Sequence, residues 1–116
     1  MADIIYIDKP ISRAELKKIA EQRFGDMVKG VVDTERDIMA IGGELHADEE
    51  AFLIQKGSTQ KNLWGINLYP DINMPEMLEF DSMINIRPSQ NNRSRDVEDP
   101  GVRERIVVII HKLLID

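Results

Sequence analysis

At 116 residues the chain is sized for one domain around a single core, and its net charge of −6, from 21 acids against 15 bases, leaves no broad basic surface for general nucleic-acid binding. The absence of cysteine excludes a disulfide framework, a thiolate metal or redox site and a cysteine nucleophile. The longest apolar run, Ile106 to Ile110, is far too short to span a bilayer, and Met1-Ala2-Asp3 opens without the basic and apolar stretches of a signal peptide, so the expected compartment is the cytoplasm.

In chain order, the β-branched run Ile4 to Ile7, ended by Asp8-Lys9-Pro10, predicts a first strand. Ser12 with Glu15 three residues later is a capping box, and Leu16, Ile19, Ala20 and Phe24 then recur at helical spacing until Gly25 supplies a stop. Met27 to Val32 and Ile38 to Ile41 predict two strands joined through the polar stretch Asp33 to Asp37, with Gly42-Gly43 ending the second. A second helix is expected from about Asp48, with acids in its first turn favouring the positive end of the helix dipole, to a stop at Gly57.

Leu63 to Tyr69, closed by Pro70, predicts another strand, and Asp71 to Met77 a loop. From Phe80 to Ile86 residues of unlike polarity alternate, placing Phe80, Ser82, Ile84 and Ile86 on one face of a further strand. Asp99 as cap and Pro100 at the first helical position open a third helix expected to reach the carboxyl terminus. On its wheel Val102, Ile106, Ile109, Ile110 and Leu113 form the core stripe, leaving Val108 and Ile115 outside as a possible homodimer surface on the helix 100–115. Scattered surface apolars explain the same pair. The resulting fold class is α+β: a single domain, 1–116, with a mainly antiparallel sheet of about five strands and three helices in the order β-α-β-β-α-β-β-α, the helices covering one face.

Two places carry candidate chemistry. The stretch from Arg87 to Arg95 holds three arginines with Ser89, Gln90, Asn91, Asn92 and Ser94 between them and no acid, so forked guanidinium donors and amides stand together. Arg87, Ser89, Asn91, Asn92, Arg93 and Arg95 are therefore expected to recognise a phosphate-bearing or acidic partner. The plainer reading is a solvated loop whose arginines pair with Asp96, Glu98 and Asp99. The second place is His46, with Asp48 and Glu49 close by, a combination able to act as a general base in a small hydrolase or nuclease. Helix-terminal electrostatics explain the acids equally well. His46 lacks a second histidine four residues away, so no metal and no cofactor is assigned. The enzyme reading requires His46 and the arginine loop to share one cleft.

His111 reads as a surface or interface histidine, and Trp64 and Tyr69 as core aromatics beside Gly65, which leaves room for a close neighbour. No Gly-x-Ser-x-Gly elbow, phosphate-binding loop or dinucleotide fingerprint occurs. Finally, the segments Gly42-Gly43-Glu44-Leu45-His46-Ala47-Asp48, Leu63-Trp64-Gly65-Ile66-Asn67-Leu68-Tyr69-Pro70 and Asp81-Ser82-Met83-Ile84-Asn85-Ile86-Arg87-Pro88 resemble those of a small prokaryotic family catalogued as a domain of unknown function. The resemblance covers most of the chain and implies a free-standing prokaryotic protein without an assigned role.

Overall fold

The computed structural model describes residues 3–116. Met1 and Ala2, part of the opening stretch read above as unlike a signal peptide, lie outside the described residues. Strands β1 (Ile5–Ile7), β3 (Val28–Asp33), β4 (Ile38–Ile41), β5 (Leu63–Leu68) and β6 (Leu78–Glu79) form one antiparallel sheet in the order β1-β4-β3-β5-β6. Two short strands, β2 (Ile11–Ser12) and β7 (Leu114–Ile115), pair in parallel apart from it. With helices α1 (Arg13–Glu21), α2 (His46–Gln55) and α3 (Pro100–Leu113), this is the expected α+β class.

The helices cover both faces of the sheet, not one. Val28, Val32, Met39, Ile41, Trp64, Ile66 and Leu68 pack on one side with Leu16 and Ala20 of α1 and Ile106, Ile109, Ile110 and Leu113 of α3. Val31, Ile38, Ala40 and Leu63 pack on the other with Leu53 of α2. The physical reason lies in the strands themselves: β4 and β5 are buried at every residue, so neither face is left for water.

The predicted capping box closes α1, with the Ser12 hydroxyl accepting from the Glu15 amide at 3.0 Å and the Glu15 carboxylate accepting from the Ser12 amide at 3.5 Å. Asp99 caps α3 through the Gly101 amide at 2.8 Å, and Pro100 follows it. Three boundaries differ from expectation. Helix α1 ends before Phe24, which is exposed. Helix α2 starts at His46, two residues early, with Leu45 at the cap and no side-chain acceptor, which puts His46 in the first turn. Helix α3 stops at Leu113 because Leu114 and Ile115 turn extended to pair with Ile11 and Ser12.

The strand expected over Phe80–Ile86 does not form. Pairing along β5 stops at Glu79, and Met83–Asn85 is a 3₁₀ turn whose amide at Ile84 bonds back to the Ser82 hydroxyl. A side chain then takes the place of the missing strand. Asn85, fully buried, accepts from the Gly65 amide through Oδ1 at 2.8 Å and donates through Nδ2 to the Gly65 carbonyl at 3.0 Å, the two bonds that a neighbouring strand residue would make. Gly65 is what allows this approach: a Cβ there would stand 2.4 Å from the Cβ of Ser82.

Candidate functional site

The donor-rich loop is largely committed to its own architecture. Asn92 is buried and donates to the carbonyls of Asn85 at 2.7 Å and Asp96 at 2.7 Å, while its Oδ1 accepts from the Glu98 amide at 2.8 Å. The Arg87 guanidinium bonds the carbonyls of Ile84 at 3.1 Å, Gln60 at 2.7 Å and Leu63, and lies 4.2 Å from the centre of the Trp64 ring. It ties the loop to the start of β5 as a forked donor over an aromatic face. Asn91 takes the left-handed conformation at φ 60°, a tolerated setting for asparagine, and Ser89 is exposed.

An acid from the chain itself sits where an anion was expected. One carboxylate oxygen of Glu98 accepts from the amides of Arg93 and Ser94 at 3.1 and 2.8 Å and from the Ser94 hydroxyl at 2.6 Å. These bonds, the Ser94 hydroxyl first, hold the Glu98 carboxyl below its ordinary range. Asp96 pairs with Arg103 at 2.6 Å. Two arginines are less committed: Arg93 is exposed and its guanidinium bonds none of the described residues, and Arg95 uses only Nε, on Asp81 at 2.5 Å.

Arg95 and His46 come together on one cleft of about 480 Å³, bounded by the first turn of α2, the outer end of β5, β6 and the segment 81–84. Its polar lining is Lys29, His46, Asn67, Tyr69, Glu79, Asp81, Ser82 and Arg95. The early start of α2 is what brings His46 here. The imidazole Nε2 lies 2.8 Å from the Ile66 carbonyl, and since a carbonyl only accepts, Nε2 carries the proton and the neutral ring keeps its lone pair on Nδ1. Burial holds the ring below the usual histidine range, against smaller upward pulls from the Ile66 carbonyl and from Asn67.

Beside it runs a chain of bonds. Glu79 Oε1 accepts from Asn67 Nδ2 at 2.8 Å and from the Tyr69 hydroxyl at 3.1 Å, and Asn67 Nδ2 also reaches the Asp81 carbonyl at 3.3 Å. Burial and then Glu79 raise the Tyr69 hydroxyl above its ordinary range, so it stays protonated as a donor. Because both bonds on Nδ2 fix the amide orientation, Oδ1 is the remaining atom of Asn67, and it is buried with no donor. No ion pair among the described residues involves Glu79.

The other acids expected near His46 stand elsewhere. Asp48 is exposed and does not line the cleft. Glu49 is fully buried under Gly43, whose amide donates to Oε2 at 2.9 Å, and desolvation pushes its carboxyl up to about 9, so at neutral pH it is a protonated acid. Among the described residues no three histidine, aspartate or glutamate side chains converge as a metal ligand set. Val108 and Ile115 are both about half exposed, at 54% and 51%, but on α3 and β7 respectively and not on one helix. His111 is exposed and borders an apolar groove of about 670 Å³ with Met74, Phe80 and Val107.

Trp64 is core, as expected, and Tyr69 is half-buried at the cleft. Lys29, Asn67, Glu79 and Asp81 were not singled out by the sequence reading. A signal for one existed: Asn67 interrupts the apolar run of β5, and a polar residue inside a buried strand needs partners. No helix of the described residues is long and apolar enough to cross a membrane. The chain belongs to the family described as protein of unknown function (DUF5674), whose model matches residues 5–113, in agreement with the resemblance carried by the three segments above. No curated protein and no solved structure matches it.

Proposed function

We propose, with family membership as a premise that carries no activity, that this protein binds a small polar ligand in the His46–Arg95 cleft and holds the ligand's anionic group with Arg95. The single observation that supports this is the state of Arg95: Nε is engaged by Asp81, which orients the guanidinium, and its two terminal nitrogens remain available to a phosphate or carboxylate at the cleft. Lys29, on the same cleft and in no ion pair among the described residues, adds a second positive charge. The expected arginine-loop site is thereby narrowed to its last arginine, with Arg93 as an outlying contact, since Arg87 and Asn92 serve the loop. Titration of labelled protein with inorganic phosphate and with small carboxylates tests this. Amide shifts at Lys29, His46 and Arg95 are expected, and Arg95→Ala should weaken binding by about 1.5–3 kcal/mol, the scale of hydrogen bonds to a charged group. Unmoved cleft signals with every anion would sink the reading.

A second reading, a small hydrolase or nuclease, is favoured by His46 and an arginine sharing one cleft. In that reading Glu79 or Asp81 accompanies His46, because Glu49 is buried and protonated and Asp48 is outside the cleft. Turnover of phosphate or carboxylate esters that is abolished by His46→Ala would select it.

A further inference from the structure

We infer that the ligand of this cleft carries an ammonium group as well as its anionic group, as a free α-amino acid does; this rests on the binding reading above. Two acceptor groups at the cleft lack a donor or a counter-charge. Asn67 is only 6% exposed, lines the cleft, and keeps Oδ1 buried without a donor. A buried acceptor left unpaired costs free energy, and it marks this wall of the cleft as short of donors. Beside it, Glu79 brings a full negative charge whose known partners are the neutral Asn67 amide and the neutral Tyr69 hydroxyl. Hydrogen bonds from neutral donors orient that carboxylate and leave its charge unbalanced.

The bases of the cleft do not supply the missing cation. Arg95 is paired with Asp81 through Nε and bonds no oxygen of Glu79, and Lys29 has its ammonium 5.2 Å from the centre of the Phe24 ring, a cation–π contact, with no carboxylate partner among the described residues. His46 is no substitute, since its ring is held neutral by burial and its proton is committed to the Ile66 carbonyl. One side of the cleft thus offers the Glu79 carboxylate, the other a guanidinium edge and an ammonium. A ligand with three tetrahedral N–H donors at one end and a carboxylate at the other satisfies both sides at once. A simple dianion such as phosphate satisfies Arg95 and Lys29 but meets Glu79 with like charge.

The test uses the full chain and three sets of probes: the common α-amino acids singly, the matching carboxylic acids without the amino group, and inorganic phosphate. Binding is read by calorimetry and by amide shifts at the cleft. At least one amino acid is expected to bind more tightly than its deamino counterpart, and Glu79→Gln, which keeps an acceptor for Asn67 and Tyr69, should weaken the amino acid roughly tenfold or more while leaving the deamino acid bound at least as tightly as before. Deamino acids or phosphate binding at least as tightly as every amino acid, or an amino-acid affinity unmoved by Glu79→Gln, would overturn the inference and leave the anion site standing. If no probe of any set shifts the cleft signals, both this inference and the binding reading fail.

Discussion

Asn85 and Gly65 exchange two hydrogen bonds, amide to Oδ1 and Nδ2 to carbonyl, so that one side chain stands in for a strand at the end of the sheet. The same Nδ2 also donates to the Arg95 carbonyl at 3.0 Å, linking the sheet to the arginine that faces the cleft. Removing the amide strands three backbone groups. Asn85→Ala should therefore destabilise the fold by about 2–4 kcal/mol, and Asn85→Asp should also be destabilising because it loses both donated bonds and buries a charge. Urea unfolding of the two variants measures this.

Two arginines six positions apart should behave oppositely. Arg87 holds three carbonyls and covers the Trp64 ring, whereas the Arg93 side chain bonds none of the described residues. Arg87→Ala should cost about 1–3 kcal/mol of stability, and Arg93→Ala should stay within about 0.5 kcal/mol of the parent. Thermal unfolding of both variants in one buffer gives the comparison.

Glu49 gives the protein a stability that declines with rising pH. Its folded carboxyl titrates near 9 against an ordinary value of 4.5, so across that window the folded state holds a proton that the unfolded state has released. More protons bound in the folded state means that stability falls as pH rises, and the contribution is fully present only below the unfolded value. Glu49→Gln removes this titration while keeping a neutral side chain of the same shape. The urea midpoint of the variant, followed from about pH 5 to about pH 9, should decline less steeply than that of the parent.

His46 should be a neutral imidazole at pH 7 with its proton on Nε2. Burial lowers its titration below the usual histidine range, and the Ile66 carbonyl at 2.8 Å fixes the tautomer. Folding thus disfavours the charged ring, so its contribution to stability is present above the unfolded value and is lost as pH falls through the histidine range. Long-range nitrogen–proton correlation spectra of the ring distinguish the two tautomers. A proton on Nδ1 at neutral pH would contradict this assignment.

Much of the fold was legible because local chemistry and tertiary structure agree there: Ser12 with Glu15, Asp99 with Pro100, and the stripe Ile106, Ile109, Ile110, Leu113 all do what their spacing predicts. The segment Phe80–Ile86 misled because period-two alternation records side-chain type, not whether a neighbouring strand is there to pair. Here Asn85 satisfies Gly65 through its side chain, and no local pattern encodes that. The two-residue pairing of Ile11–Ser12 with Leu114–Ile115 is equally invisible, since it joins opposite ends of the chain. For the site, His46 and Arg95 were found by residue type, but Lys29, Asn67 and Glu79 join them only through the register of β3, β5 and β6, which sets Asn67 between Lys29 and Glu79.

Glu98 makes the arginine loop its own competitor. A free anion approaching the amides of Arg93 and Ser94 must displace a carboxylate tethered a few residues away. A short tether presents such a group at an effective concentration on the order of millimolar or above, so a dissolved anion would have to exceed that level or bind far more tightly to gain entry. The loop is in this sense inhibited by its own sequence, which steers recognition away from its centre and toward Arg95 at its end. Replacing Glu98 with alanine would lift that competition and leave two amides and a hydroxyl open to whatever anion the solvent provides.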